Sequence, residues 1–212
     1  MYTPSQFEME NEEEAREIMC EHNFATLISK SKSDITASHL PLMWTSAGGK
    51  HGPLHGHMAR ANPQWNTFDG QAEVLAIFLG YHTYISPNWY DDQPAVPTWN
   101  YSTVHAYGVP CLIEGIEETK NLLRQMVKYH DPDPANAWPE ANPHTNLVDE
   151  MVPHIVAFNI PILTLQSKSK LSQNRSKGDR EEVIKVLRNS QKAGAQGIAG
   201  DMSRIYSIGS AP

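Results

Sequence analysis

The sequence predicts a mainly β protein of the α+β kind, an antiparallel barrel with helices outside it. Five or six short strand-like runs follow one another through hairpin-sized turns. No helix separates the early ones, which argues against a parallel sheet and its long crossovers. Helical patterns stand at both ends of the chain and between two late strands, where they can cover a sheet. The 212 residues, 40% of them hydrophobic, suffice for one sizeable core or two small ones.

Asn11 followed by Glu12, Glu13 and Glu14 marks a helix start, with Glu14 placed to reach back to the cap. Ala15, Ile18 and Met19 give that helix one apolar stripe, and it should end near Asn23. Residues 24–29 (FATLIS) read as a strand, and 30–34 as a polar turn. Residues 35–44 form a second strand with Thr36, Ser38, Leu40, Leu42 and Trp44 on one face and His39 on the other. Pro41 lacks an amide donor, which puts this strand at an edge or gives it a bulge. A turn over 47–50 leads to the returning hairpin strand, 54–59. Asn62 and Pro63 stop it and open a short helical turn through Trp65 and Phe68.

Residues 74–79 are a continuous apolar run, expected to be buried on both faces and continued by 83–86. The proline-bounded loop over 87–97 is of a length that is often functional. Residues 103–115 read as a strand broken near Pro110. The clearest helix covers 117–130, with Leu122, Leu123, Met126 and Val127 on one face. Residues 131–146 have no period and form an extended excursion, whereas 154–165 alternate, with Val156, Phe158, Ile160 and Ile162 pointing one way. Asp179, with Glu182 three residues on, starts a last helix carrying Val183, Ile184 and Leu187. Residues 1–190 form a single domain, and the Gly/Ala/Ser-rich tail, 191–212, is expected to fray.

The formal charge of −7 is unevenly placed: seven acids against Arg16 in the first 22 residues, and eight bases against three acids over 166–192. Solvated helix faces explain both, and an acidic chain gives weak support to nucleic-acid binding through bulk charge. Cys20 and Cys111 lack CxxC spacing and read as buried free thiols of a reducing compartment, the cytoplasm. The longest apolar run is too short to span a bilayer.

Three segments are dense in recognition chemistry: LHGHMARANPQW over 54–65, VPTWNYSTVHAYG over 96–108 and SKSKLSQNR over 167–175. In the first, His55, His57 and Ala59 share a strand face, and Arg60 and Asn62 follow where side chains can leave the sheet. A guanidinium there suits a phosphate, with an ion pair to a neighbouring carboxylate as the plain reading of an isolated Arg. Gly56 fits a close backbone approach. His51, His55 and His57 have no Cys, Asp or Glu beside them, so hydrogen-bonding histidines are preferred to a metal site. A haem ligand among the ten histidines stays open. In the second segment, Trp99 and Tyr101 flank Asn100: either a core-packing strand entry, or a ring on which a flat ligand stacks while the amide holds its edge. The third is either a solvated loop or a set of donors to such a ring. A phosphate at one end and a flat ring at the other describe a mononucleotide cofactor such as a flavin. No Ser-His-Asp or Cys-His spacing, no GxGxxG after a strand and no P-loop supports a hydrolase or NTPase.

These segments, with MYTPSQF at the start, FATLIS, ASHLPL over 37–42, YISPNWY over 84–90 and KLSQNR, resemble the PaiB family of FMN-binding negative transcriptional regulators. Seven motifs occur in one order, from Met1 to about Leu187. The resemblance implies a flavin-binding split β-barrel like that of pyridoxamine phosphate oxidases, usually a homodimer with two FMN sites at the subunit interface. Carried over by position, Ser38, His39 and Leu40 would lie along the isoalloxazine. His57, Ala59, Arg60, Ala61 and Asn62 would surround the phosphate, with Trp65 close by. Trp99, Lys170, Gln173 and Asn174 would close the ring end from the same or the other subunit. The implied role is regulatory or redox-sensing; a flavin-dependent oxidoreductase acting on a small molecule, and a haem-binding or haem-degrading protein of the same fold, are the other readings. No helix-turn-helix is present, so direct DNA contact is not expected.

Overall fold

The first hairpin joins β1 (Phe24–Lys30) to β2 (Ile35–Pro41), in register from Phe24 opposite Pro41 to Lys30 opposite Ile35. Thr36, Ser38 and Leu40 take the more buried face of β2 and His39 the exposed one, as the alternation predicts. The strand does not run through to Trp44. It breaks at Leu42, whose amide donates to Asn23 O at 2.9 Å, and resumes as the short β3 (Met43–Trp44). Pro41 is the physical reason, since it offers the ladder no donor. Leu42 and Met43 are then both buried, which no unbroken alternation allows.

β3 pairs with β4 (Pro53–Ala59), the return strand of the expected hairpin. The remaining strands are β5 (Val74–Ile85), β6 (Thr98–Gly108), β7 (Cys111–Ile113) and β8 (Ile155–Lys170). The order is β2-β1-β5-β6-β8-β4-β3, with β7 paired to β8. Every register given is antiparallel, and the sheet does not close. Consecutive strands β2 and β3 stand at opposite ends of this path, so the break at Leu42 is where the chain leaves one end for the other.

The structure, a computed structural model, describes residues 1–9, 11–31, 34–133 and 145–206. Most of the 131–146 excursion lies outside them. The chain divides into two compact units. The first comprises residues 1–21, 79–104 and 166–212; the second comprises 22–78 and 105–165.

In the second unit, α2 (Ile116–His130) buries Leu122 and Met126 in a cluster with Met43 and Ala157. A short helix, α3 (Thr145–Met151), precedes β8. Val156, Phe158, Ile160 and Ile162 are all buried, as their alternation predicts. Residues 74–79 are buried on one face only: Val74, Ala76 and Phe78 are buried while Leu75 and Ile77 are half-buried.

In the first unit, α1 (Glu12–Glu21) is capped by Asn11, whose Oδ1 accepts from Glu13 N at 2.9 Å. It buries Ala15, Ile18 and Met19 and ends two residues earlier than expected. β5 continues through Thr83 to Ile85 with Leu79 exposed, and β6 begins at Thr98, ahead of the expected start. β8 runs on to Lys170, so Lys168 and Lys170, the first two bases of the basic stretch, stand on a strand. The next helix, α4 (Lys177–Arg188), is capped by Ser176, not Asp179. Asp179 is fully buried, and its Oδ1 accepts from Asp91 N at 2.8 Å and Asp92 N at 3.2 Å. The segment expected to fray forms a further helix, α5 (Ala193–Tyr206). Its small residues suggest fraying, but Ala195 and Ala199 flank Ile198 and Met202 on a stripe that packs with Val183, Ile184 and Leu187. Among the described residues no helix is long and apolar enough to cross a membrane.

Candidate functional site

The densest group of predicted site residues forms where β4 ends. Leu54, Gly56 and Met58 face inward, and His55 and His57 are half-buried on the other face. Gly56 serves packing: a Cβ there would stand 2.7 Å from Leu42 Cδ2 and 3.2 Å from Phe158 Cζ. The close approach expected of a ligand is made by the core. Burial lowers the pKa of both imidazoles, favouring their neutral forms. His55 Nε2 lies 3.1 Å from Thr45 Oγ1, whereas His57 Nδ1 is enclosed without a partner.

Past the exposed Ala59, the Arg60 amide donates to His154 O at 2.8 Å. The guanidinium of Arg60 donates from Nε to Pro153 O at 2.7 Å and from Nη2 to Ile155 O at 2.8 Å. Its centre lies 5.8 Å from the centroid of the Trp65 ring, and Trp65 Nε1 donates back to Arg60 O at 2.9 Å. Among the described residues Arg60 meets carbonyls and a ring, not the carboxylate partner of the plain reading. Two main-chain bonds thus fix a cation that keeps its charge and its exposure.

Ala61 is exposed, and Asn62 caps the turn Pro63–Thr67 by accepting from Gln64 N at 3.0 Å. Asn62 Nδ2 donates to Ser38 Oγ at 2.8 Å. The structure therefore pairs Ser38 with Asn62 and Arg60 with Trp65, the two pairs meeting along the one short stretch of chain from Arg60 to Trp65. Leu40 is buried in the core, and His39 faces the opposite way from Ser38, with Nδ1 3.0 Å from Thr26 Oγ1. A cavity of about 400 Å³ adjoins the group, with Arg60, Glu114 and Thr119 among its polar lining and Trp65, Ile113, Val156 and Ala157 among its apolar walls.

Sequence reasoning missed Gln64. Its side chain is 1% exposed, and Nε2 donates to Leu27 O at 2.9 Å and Thr36 O at 3.3 Å, tying the turn to β1 and β2. A polar residue right after a capping Asn-Pro pair was the available signal, since a first-turn Gln that is not solvated must bond elsewhere.

The remaining predicted residues lie in the other unit. Trp99 is 53% exposed, its ring 6.3 Å from that of Tyr84 in an edge contact and 6.3 Å from that of His82. Asn100 is fully buried and donates to Ser172 Oγ at 3.0 Å, so it holds the interior. Lys170 Nζ donates to Thr98 Oγ1, and its pKa is lowered mainly by desolvation. Gln173 closes its own turn: Oε1 accepts from Leu171 N at 2.6 Å and Nε2 donates to Ser169 O. Asn174 is exposed. Trp99 and Lys170 thus stand on strands, while Gln173 spends both ends of its amide locally. Among the described residues no group of three or more His, Cys, Asp and Glu could hold a metal ion.

Residues 1–164 match the family described as "Putative FMN-binding domain". Over 201 residues the chain is 36% identical to the Bacillus subtilis (strain 168) "Protease synthase and sporulation protein PAI 2", covering 94% of this chain and 95% of that protein. The chain belongs to the PaiB-like FMN-binding family. An uncharacterised protein of Emericella nidulans is 32% identical over 196 residues, covering 73% of this chain and 76% of its own. FMN is the cofactor of the PaiB-like family and of this chain. Two solved structures share the split-barrel fold at low identity. The flavocytochrome Anf3 from Azotobacter vinelandii has a TM-score of 0.58 at 11% identity, over 77% of this chain and 69% of that one. The FAD and heme binding protein from Mycobacterium smegmatis has a TM-score of 0.58 at 10% identity, over 77% and 73%.

Proposed function

We propose that this PaiB-like protein is a cytoplasmic homodimer with a redox-sensing regulatory role, and that it takes the FMN phosphate at the end of β4. The observation that carries the site is Arg60: an exposed guanidinium, aimed by Pro153 O and Ile155 O, beside the linked hydroxyl and amide of Ser38 and Asn62. That donor set suits a phosphate dianion, which needs a fixed cation and neutral donors around it. Bound FMN would supply reversible electron uptake at its isoalloxazine ring. The chain's own part is to fix the phosphate through Arg60 and Asn62, with Ser38, placed along the isoalloxazine by the resemblance, bonded to the Asn62 amide, and to offer Trp65 as an apolar wall. Trp99, Lys170, Gln173 and Asn174 are the candidates for the ring end, reaching it from the partner subunit. Support for the dimer comes from Phe24 and Ile35, 68% and 74% exposed on the terminal strand pair of an open sheet.

Calorimetry with FMN and riboflavin tests the phosphate assignment. FMN should bind more tightly than riboflavin, and Arg60→Ala should cost roughly 1.5–3 kcal/mol, about ten- to a hundredfold in FMN affinity. Equal affinity for the two flavins, unchanged by the substitution, would refute it. Sedimentation of the loaded protein tests the dimer, and a monomer binding FMN equally tightly refutes a shared site.

One observation favours a second reading, haem binding: the enclosed His57 imidazole, its pKa lowered by burial, has no partner for Nδ1 among the described residues, and the two structural neighbours above are named for haem or cytochrome as well as flavin. A Soret band in the purified protein, lost in His57→Ala, would establish it; flavin bands alone would dismiss it.

A further inference from the structure

A cavity of about 670 Å³ lies wholly within the first unit, between the face of β5 and β6 that carries Trp99 and the corner joining α4 to α5. Its corner residues fall beyond the 1–164 segment that matches the family. One wall is a set of three rings on adjacent strands, His82, Tyr84 and Trp99, with Tyr84 45% and Trp99 53% exposed. Exposed rings grouped this way leave a large apolar area in contact with water, with Tyr84 edge-on to the Trp99 ring. The opposite wall presents Lys192, and among the described residues no carboxylate lines the cavity. The first turn of α5 brings no acid to offset that charge.

The corner is built rather than loose. Ser190 N donates to Leu187 O at 3.1 Å, Ser190 Oγ accepts from Lys192 N at 3.2 Å, and Ser190 O accepts from Gln196 Nε2 at 2.9 Å. Gly194 permits the helix to meet the sheet here, since a Cβ would stand 2.8 Å from His82 O. The volume suits a small organic molecule. The rings call for a planar aromatic body, and one exposed ammonium, a point charge, calls for a single carboxylate. A phosphate dianion would want a second cation or an Arg fork.

We propose that this cavity is a second ligand site, which takes a small planar aromatic carboxylate. The proposal goes beyond the flavin reading, and it gives Trp99, one candidate for the flavin's ring end, to this cavity instead. The test is calorimetry on the FMN-loaded protein with 1-naphthoate and the neutral 1-naphthamide as probes. The acid should bind saturably, one per chain, and about tenfold more tightly than the amide. Lys192→Ala should bring the acid down to the affinity of the amide while leaving FMN content and melting temperature unchanged. Tyr84→Ala should weaken both probes alike. Three results would each overturn the proposal: no saturable binding at millimolar acid, equal affinity for acid and amide, or displacement of the acid by riboflavin. The last would make the cavity part of the flavin site. Naphthoate binding in a protein that fails to bind FMN would leave this site standing and sink only the flavin assignment.

Discussion

The two units reach order by different means. In the second, two stretches of chain meet around hairpins: β1 meets β2 and β3 meets β4 across short turns, and the polar side chains of Gln64 and Arg60 tie those hairpins to main-chain carbonyls elsewhere in the chain. In the first, three separate stretches of chain build the core, and cations lie against rings. Arg175 sits 4.1 Å from the Tyr90 ring centroid and Arg180 4.2 Å from that of Tyr206. There a buried carboxylate, Asp179, holds the 91–92 loop by its amides. Local pairing makes structure that sequence can read. Assembly from distant stretches makes a scaffold whose parts mean little until they meet.

The strongest way to break this contrast is to attack α5. Ile198 is fully buried among Val183, Leu187 and Met202. Ile198→Ala should cost about 2–5 kcal/mol, read as a fall in the urea midpoint. A cost under about 0.5 kcal/mol would restore the frayed tail. Asp179 comes next. Asp179→Ala removes the buried acceptor of two loop amides and should cost about 1–2 kcal/mol, while Asp179→Asn keeps an acceptor and should recover part of it. Equal losses for the two variants would show that the amide bonds do not hold the loop.

The same contrast explains what could be read in advance. The β1–β2 hairpin, the β4 alternation, the Asn62 cap and the inward face of β8 all follow from short-range pattern, and each formed as expected. Pro41 signalled a disturbed strand, although not that the chain would change ends of the sheet there. The helix over 193–206 was missed because Gly194, Gly197 and Gly200 weaken helix propensity, and because its stripe gains stability only against α4. Gly197 shows what propensity cannot: a Cβ there would stand 2.2 Å from the Tyr81 ring. Ser176 outcompeted Asp179 as a cap because the 91–92 amides claim the carboxylate. At the site, Arg60 and Asn62 were legible as charge and amide at a strand end. Gln64 was not, because its partners, Leu27 O and Thr36 O, belong to other strands.

Gln64 gives the second unit's counterpart to Asp179. Gln64→Leu removes the donor that ties the turn to β1 and β2 and should cost about 1 kcal/mol. The local reading of this unit adds a finer expectation. The turn carries Trp65, so FMN affinity should drop more for Gln64→Leu than for Ile198→Ala at matched stability. Calorimetry of the two variants decides it, and equal drops would mean that global loosening, not this turn, governs the site.

The smallest expected effect concerns Asp201 on α5. Burial raises its pKa from 3.8 to about 6, with Glu21 adding to the rise and Arg204 opposing it. The Arg204 Nη2 contact at 2.9 Å is not enough to offset desolvation, because Arg204 is itself divided with Glu17 at 3.1 Å. A raised acid pKa means that the folded state binds the proton more tightly than the unfolded chain does. The stabilisation from the protonated acid is therefore complete below about pH 3.8 and is lost as pH climbs through about 6. Discounted for partial solvent access, the swing should be about 1 kcal/mol. Asp201→Asn carries no such proton. Its stability relative to the wild type should rise between pH 4 and pH 7, and urea midpoints at matched pH values measure the difference. Curves for the two proteins that run parallel across that range would show that Asp201 titrates as an ordinary surface acid and that α5 does not bury it.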